Sequence, residues 1–188
     1  DYEPLIIDKG RGVHLYDCDG NRYIDGNASI WTNIHGHSHP VIDSAIHEQL
    51  EKIAHCSFLG TTNEPAILLA EKLVNLFPSA TLRRVFFSDD GSTAIECALK
   101  MAIQYCQLTG NKHRDQFIAF KGAYHGRTLG ASFISGDETS QSWTGYKDPN
   151  VYQIDFPFNV ENNDEVKAFF KLSIQELLNK GVDPKKDI

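Results

Sequence analysis

The stretch from Val85 to Glu96 constrains the fold more than any other, because its hydrophobic pattern changes from strand to helix within a few residues. Val85–Phe87 is a short apolar run typical of a buried strand, and 88–91 is typical of a turn. From Thr93 to Gly110 the apolar residues recur three and four positions apart, as on one face of a helix. A strand, a turn and a helix in succession indicate an α/β domain with a largely parallel sheet.

The start of this predicted helix is a candidate anion site. The first N–H groups of a helix lack partners and the helix dipole favours negative charge there, so Gly91 and Ser92 could bind a phosphate group. Gly91 lets a ligand approach the backbone, and the hydroxyls of Ser92 and Thr93 could donate further hydrogen bonds. Ser, Thr and Asp are also the usual helix caps, so an ordinary capped helix explains the same pattern.

The other predicted elements fit the same fold class. Short apolar runs at Leu5–Ile7, Val13–Tyr16 and Arg22–Ile24, the last two separated by Asp19-Gly20, predict a small antiparallel meander. Helices are predicted at 41–53, from Thr62 or Asn63 to Pro78, and from Asn162 to Gly181, strands at Phe117–Phe120 and Val151–Ile154, and loops through most of 137–160.

Composition excludes several classes of protein. The net charge of −7 argues against a nucleic-acid or acidic membrane surface. No apolar run approaches the roughly 20 residues of a membrane span, and no signal peptide is recognisable. The four cysteines lack CxxC spacing, which is typical of reduced thiols in the cytoplasm. We therefore expect a cytoplasmic protein that binds neither nucleic acid nor membrane, and the 41% of hydrophobic residues predict a substantial core.

Three loops contain candidate functional residues. Two of them, 89–93 and 122–126, follow predicted strands, and open α/β sheets bind ligands at that end. Tyr124 lies between two glycines and could stack on a planar ring or belong to the core. The third loop contains Trp31, a core residue or a pocket wall.

The third loop also contains three histidines at alternate positions, His35, His37 and His39. They could be proposed as zinc ligands, but no paired carboxylate or fourth ligand stands at a recognisable spacing. We therefore predict no metal site. The histidines are better explained as supports for the turn that leads into the helix after Pro40.

A series of short motifs resembles the N-terminal part of class III aminotransferases, which are pyridoxal-phosphate enzymes of fold type I. The motifs follow one another in the family's order across about residues 10 to 150. They are Asp25-Gly26, Ser29-Ile30-Trp31, Ile34-His35-Gly36, His39-Pro40, Ser57-Phe58-Leu59-Gly60, Asn63-Glu64-Pro65-Ala66, Asp90-Gly91-Ser92-Thr93-Ala94-Ile95-Glu96, Ala98-Leu99-Lys100-Met101-Ala102 and Tyr124-His125-Gly126.

Within this family the chain is most similar to the branch that acts in biotin synthesis. That branch carries the Ser-x-Trp-x-x-x-His-Gly pattern seen here from Ser29 to Gly36, and Lys-Met-Ala as at Lys100–Ala102. The resemblance implies transfer of an amino group from S-adenosylmethionine to 8-amino-7-oxononanoate, giving 7,8-diaminononanoate. Ile30 and Arg127 depart from the branch, which often has a second tryptophan and an acid at these positions. An ω-amino acid or acetylornithine-type transaminase, or a non-catalytic truncated paralogue, therefore remains an alternative.

The resemblance also implies roles for particular residues. Gly91 and Ser92 correspond to the residues that hold the phosphate of pyridoxal 5'-phosphate, and Tyr124 to the aromatic that stacks on its ring. Trp31 and Tyr124 correspond to walls of the substrate pocket. The loop 58–62 resembles one near the interface of a homodimer whose active sites are built from both subunits.

The catalytic residues of this family are expected outside the chain. A transaminase needs a lysine to bind the cofactor covalently and a carboxylate against the pyridinium nitrogen, and both are expected beyond Ile188. We expect residues 1–50 to form an N-terminal segment of the small domain and 51–188 the first half of the large cofactor-binding domain. The chain is thus expected to be a fragment, inactive alone, of an active longer protein.

Overall fold

The computed structural model describes residues 3–77, 81–136, 150–158 and 160–183. The chain forms two compact units, Asp1–Arg84 and Val85–Ile188. The boundary expected between residues 50 and 51 concerns the domains of the complete protein and stays a prediction. Across the described ranges, no helix combines the length and apolar character needed to cross a membrane.

The first unit contains the predicted antiparallel meander. Its strands are β1 (Ile7–Arg11), β2 (His14–Asp17) and β3 (Arg22–Ile24), in the order β1-β2-β3. Gly20 has a φ of 85° in the predicted turn between β2 and β3. Strand β1 is placed later than the apolar run Leu5–Ile7, because backbone pairing such as Gly10 with Leu15 determines where the ladder runs.

A single helical turn of left-handed sense, α1 (Ala28–Trp31), follows the meander in a segment predicted as loop. Its four consecutive φ angles are 52°, 50°, 59° and 70°. Left-handed backbone costs about 1–2 kcal/mol for each non-glycine residue, so this turn costs about 4–8 kcal/mol in backbone energy. Contacts elsewhere must offset this cost, and they are described with the site below.

Two right-handed helices complete the first unit, as predicted. Helix α2 (Pro40–Lys52) starts at a proline, which suits the first turn because its missing N–H would have no partner there. Helix α3 (Glu64–Leu76) is capped by Asn63, whose side chain accepts a hydrogen bond from the N–H of Ala66 at 3.0 Å. Pro78, expected to close α3, lies outside the described residues.

The second unit begins differently from the prediction. Val85–Phe87 does not form a strand, and Phe86 is 62% exposed. A strand exists only within a ladder. The ladders found among the described residues pair β1 with β2 and β2 with β3 in the first unit, and two later strands with each other in the second. Helix α4 (Gly91–Leu108) follows as predicted, beginning two residues before Thr93.

The sheet of the second unit consists of β4 (Phe117–Phe120) and β5 (Val151–Ile154), which pair in parallel as predicted. Helix α6 (Asn163–Asn179), also predicted, is capped by Asn162 and packs on this pair. The small core contains Ile154, Leu177 and Val182, with Ile118, Phe120, Tyr152 and Phe170 against it.

Two further features of the structure were not predicted. A short helix, α5 (Leu129–Ile134), lies between β4 and β5. The core is also smaller than composition suggested, because large apolar side chains such as Ile46, Leu50 and Leu69 stay exposed among the described residues of the two units. Composition counts apolar residues but does not say whether the chain itself supplies their partners.

Candidate active site

The start of α4 is fixed by a reciprocal cap. The carboxylate of Asp90 accepts a hydrogen bond from the N–H of Thr93 at 2.7 Å, and the hydroxyl of Thr93 accepts one from the N–H of Asp90 at 2.9 Å. Hydrogen bonds from the backbone and hydroxyl of Thr93 hold the pKa of Asp90 below its ordinary value. The Thr93 hydroxyl also lies 3.0 Å from the carbonyl oxygen and from a carboxylate oxygen of Asp90, so it is part of the cap, and its donation to a ligand stays a prediction.

Ser92 joins the start of α4 to the turn after β4. Its hydroxyl accepts a hydrogen bond from the N–H of Arg127 at 3.1 Å, and its carbonyl accepts one from the hydroxyl of Thr128 at 3.4 Å. The proton of the Ser92 hydroxyl can still be donated to a second partner. Gly126, with a φ of 128°, lies against Ser92 so closely that a Cβ there would be 2.8 Å from Ser92 Cα.

Hydrogen bonds to Ser135 and Gly136 hold the turn that contains Tyr124. Gly122 donates its N–H to the carbonyl of Gly136, and Gly136 donates to that of Ala123, at 2.9 and 2.8 Å. The N–H of His125 donates to the buried hydroxyl of Ser135 at 3.0 Å. Tyr124 itself is 54% exposed, so about half of the residue is accessible to a ligand within this unit.

Glu96 has a role that its sequence position did not indicate. Its carboxylate accepts hydrogen bonds from the N–H groups of Gly130 and Ala131 at 2.6 and 3.2 Å, which caps α5 from the neighbouring helix. Burial raises the pKa of Glu96, but the hydrogen bonds from Thr128, Ala131 and Gly130 outweigh it, and the net pKa is lowered. Helix α5 has no side-chain cap of its own, since Thr128 at its N-cap makes no such bond.

Trp31 lies in the first unit, on α1, whereas Gly91, Ser92 and Tyr124 lie together in the second. The indole of Trp31 is 76% exposed, which excludes a core role within its unit. The second unit therefore brings together the three predicted cofactor residues.

The three histidines of the first unit have separate environments. His37 Nε2 lies 2.8 Å from a carboxylate oxygen of Asp25, and the rings of His35 and His39 have centroids 5.9 Å apart. No group of three or more potential ligands able to hold a metal is found in the part of the chain that the structure describes.

Comparison with known proteins identifies the family. The model of "Aminotransferase class-III" matches residues 1–185. The adenosylmethionine-8-amino-7-oxononanoate aminotransferase of Nitratidesulfovibrio vulgaris is 52% identical over 136 residues, covering 71% of this chain and 25% of that protein. The enzyme of the same name from Anoxybacillus flavithermus is 43% identical over 170 residues, covering 86% of this chain and 37% of that protein.

Solved structures agree on the fold. The adenosylmethionine-8-amino-7-oxononanoate aminotransferase of Methanocaldococcus jannaschii matches with a TM-score of 0.79 at 40% identity, over 93% of this chain and 40% of that one. An (S)-enantioselective omega-transaminase from Thermomicrobium roseum matches with a TM-score of 0.81 at 29% identity, over 95% of this chain and 41% of that one. The chain thus spans less than half the length of these relatives. The expected fold type I architecture is confirmed, and the chain belongs to the class III aminotransferases.

Proposed function

We propose that this chain is the N-terminal part of an aminotransferase that converts 8-amino-7-oxononanoate into 7,8-diaminononanoate in biotin synthesis, with S-adenosylmethionine as amino donor. The observation that carries the proposal is sequence identity within the family. The relatives at 43–52% identity described above bear the name of this activity. The omega-transaminase has an equally similar fold at only 29% identity, so the fold itself does not distinguish between the two activities.

The start of α4 fits the phosphate of pyridoxal 5'-phosphate, the cofactor of this family. Gly91 adds no side chain at the first position of the helix, where the dipole favours an anion. The hydroxyl of Ser92 is held by the N–H of Arg127 and keeps a proton to donate. We assign Gly91 and Ser92 to the phosphate and the exposed ring of Tyr124 to the pyridine ring.

The cofactor, when bound, supplies the electron-withdrawing ring that makes amino transfer possible. The residues of this chain bind and orient it, and Tyr124 also borders the substrate. Two lysines of this chain were considered for covalent binding of the cofactor. Lys100 lies on α4, and Lys121 forms an ion pair with Asp155 at 2.9 Å. As the family resemblance implies, we place the lysine that binds the cofactor covalently beyond Ile188, and assign no catalytic residue to this chain.

The remaining roles follow from the same proposal. Trp31, exposed on its left-handed turn, is assigned to the wall of the substrate pocket. The complete protein is proposed to be a cytoplasmic homodimer with active sites at its interface, near the loop 58–62. Residues 1–50 belong to its small domain and 51–188 to its large domain.

A second candidate is another class III transaminase that uses an ω-amino acid or acetylornithine-type substrate. Arg127 favours it, because a positively charged residue where the biotin branch often has an acid suits an anionic donor better than a sulfonium. A non-catalytic truncated paralogue is the third candidate, and it requires a protein without the lysine.

The test uses the full-length protein in two steps. Borohydride reduction with pyridoxal 5'-phosphate should raise the intact mass by one reduced cofactor, because reduction fixes the lysine adduct. A donor panel should then give 7,8-diaminononanoate with S-adenosylmethionine. Activity only with ω-amino acids would select the second candidate, and no specific adduct would select the third.

A further inference from the structure

We propose that Asp25 and His37 are positioning residues, which hold the left-handed turn α1 so that Trp31 faces the substrate. This inference rests on the proposed function, in which Trp31 borders the substrate pocket. Asp25 and His37 act through the backbone of the turn and touch no reacting atom.

The carboxylate of Asp25 is the centre of the arrangement. It accepts hydrogen bonds from the N–H of Ser29 at 2.9 Å and from the hydroxyl of Ser29 at 2.8 Å. His37 Nε2 meets the same carboxylate at 2.8 Å. The Asp25 side chain is 6% exposed and that of His37 15%, so the contact between these two side chains competes little with water.

His37 is anchored to the sheet. Its N–H and carbonyl exchange hydrogen bonds with Gly12 at 2.8 and 2.9 Å in an isolated antiparallel bridge. Its ring lies against Gly10, where an added Cβ would be 2.5 Å from the ring carbon Cγ. The hydroxyl of Ser38 donates to the carbonyl of Gly10 at 2.9 Å. The sheet therefore fixes His37, His37 orients Asp25, and Asp25 holds the turn.

The turn needs such support. All four of its residues are left-handed without being glycine, and Ile30 is β-branched, which makes this backbone especially unfavourable. Hydrogen bonds within the turn, such as Trp31 N–H to the carbonyl of Asn27 at 2.9 Å, would also form in a relaxed right-handed turn. The bonds to Asp25 are the ones tied to the fixed sheet.

The turn also exposes large apolar side chains to solvent. Ile30 and Trp31 are 68% and 76% exposed within the structure. Costly backbone and exposed apolar side chains in the same four residues indicate a functional constraint, since strain of this kind persists where geometry matters. In the proposed enzyme, that geometry is the orientation of the Trp31 indole.

The test compares five variants of the full-length protein: Asp25→Asn, Trp31→Phe, the double variant of these two, His37→Gln, and Asp17→Asn as matched control. Asp17 is also a buried carboxylate that holds a turn of the same sheet, through Asn21 and Tyr23. Asp25→Asn and Trp31→Phe should each raise the KM for 8-amino-7-oxononanoate by about tenfold or more, while the affinity for pyridoxal phosphate stays unchanged. The double variant should be no worse than Trp31→Phe alone, because both changes act on one side chain. Asp17→Asn should leave KM unchanged.

A spectroscopic readout makes the test independent of turnover. The difference in near-ultraviolet circular dichroism between the parent and Trp31→Phe defines the signal of Trp31. Asp25→Asn and His37→Gln should reduce this signal, and Asp17→Asn should not. Multiplying effects in the double variant, or a Trp31 signal that Asp25→Asn leaves intact, would overturn the inference.

Different results would refute the proposed function and the proposed role of Asp25 and His37. If the protein is an active transaminase and Trp31→Phe leaves its KM unchanged, Trp31 does not border the substrate pocket. This result would overturn the inference, while the proposed activity would stand. A protein without transaminase activity would overturn the proposed function, and the circular dichroism of the variants would still decide whether Asp25 and His37 hold the turn.

Discussion

The hydroxyl of Ser92 accepts a hydrogen bond from the backbone N–H of Arg127 at 3.1 Å, although the two residues are 35 positions apart. This bond joins the first turn of α4 to the turn that presents Tyr124. The two elements proposed to bind pyridoxal phosphate are thus directly hydrogen-bonded, and a substitution in one should change the conformation of the other.

Removing this hydroxyl should weaken cofactor binding. Ser92→Ala leaves the N–H of Arg127 without its Ser92 acceptor and removes a proposed phosphate donor, so we expect a loss of about 1–3 kcal/mol, or about five- to 150-fold in Kd. Absorbance titration of the full-length apoprotein with pyridoxal phosphate measures the effect. Ser88→Ala is the control, since the Ser88 hydroxyl bonds to the carbonyl of Asp90 at 3.2 Å. An equal loss in both variants would contradict the role of Ser92.

Two glycines of the same turn should respond differently to alanine. At Gly126 a Cβ would collide with Ser92 in addition to the strain of a φ of 128°, so Gly126→Ala should destabilise the protein by about 3 kcal/mol or more and abolish cofactor binding. At Gly122 no atom lies within 4 Å of an added Cβ, so only the left-handed backbone is penalised, by about 1–2 kcal/mol. Denaturant unfolding of both variants checks the order, and equal losses would show that the close approach to Ser92 is unimportant.

Glu96 should make stability depend on acid pH. Its pKa is lower in the folded chain than the roughly 4.3 of an unfolded glutamate, so the folded state binds fewer protons. Its stabilisation is complete above about pH 4.3 and is lost as the pH falls through the lower folded value. Glu96→Gln should therefore cost about 1 kcal/mol at pH 7 and flatten the decline of stability in acid.

The measurement for Glu96 combines unfolding between pH 7 and pH 3 with amide exchange at Gly130 and Ala131, whose N–H groups it binds. Glu176→Gln is the control, because Glu176 is exposed on α6. Exchange should accelerate in Glu96→Gln alone. Unchanged protection at these two amides would refute the assignment of Glu96 as the cap of α5.

The cap of α4 should tolerate an amide but not a methyl group. Asp90→Ala removes the acceptor of the Thr93 N–H and should lower the melting temperature, as the loss of an N-cap does. Asp90→Asn keeps an oxygen in place and should be nearly neutral at pH 7, since Asn caps as well as Asp. Thermal unfolding separates the two variants. A loss as large for Asn as for Ala would mean that charge, rather than the cap, stabilises this end of the helix.

The sequence predicted those helices and strands that are marked by neighbouring residues, such as a capping residue or a short apolar run. Asn63 and Asn162 cap the helices that their spacing to the following apolar stripe predicted, and β4 and β5 lie where the apolar runs indicated. These signals need only a few neighbouring residues. Val85–Phe87 was wrongly predicted as a strand, because the ladders among the described residues form between other segments. Helix α5 was missed because its cap comes from Glu96 on another helix.

The sequence by itself determined the family, the phosphate-binding residues proposed from it and most of the helices, because each depends on motifs a few residues long. Only the tertiary structure decided that Ser92 meets Arg127, that Glu96 caps α5 and that Asp25 and His37 hold a left-handed turn. These contacts depend on backbone groups from distant segments. Every residue except proline has a backbone N–H, so the residue type does not show which N–H will bind a distant side chain. Spacing along the chain therefore could not reveal them.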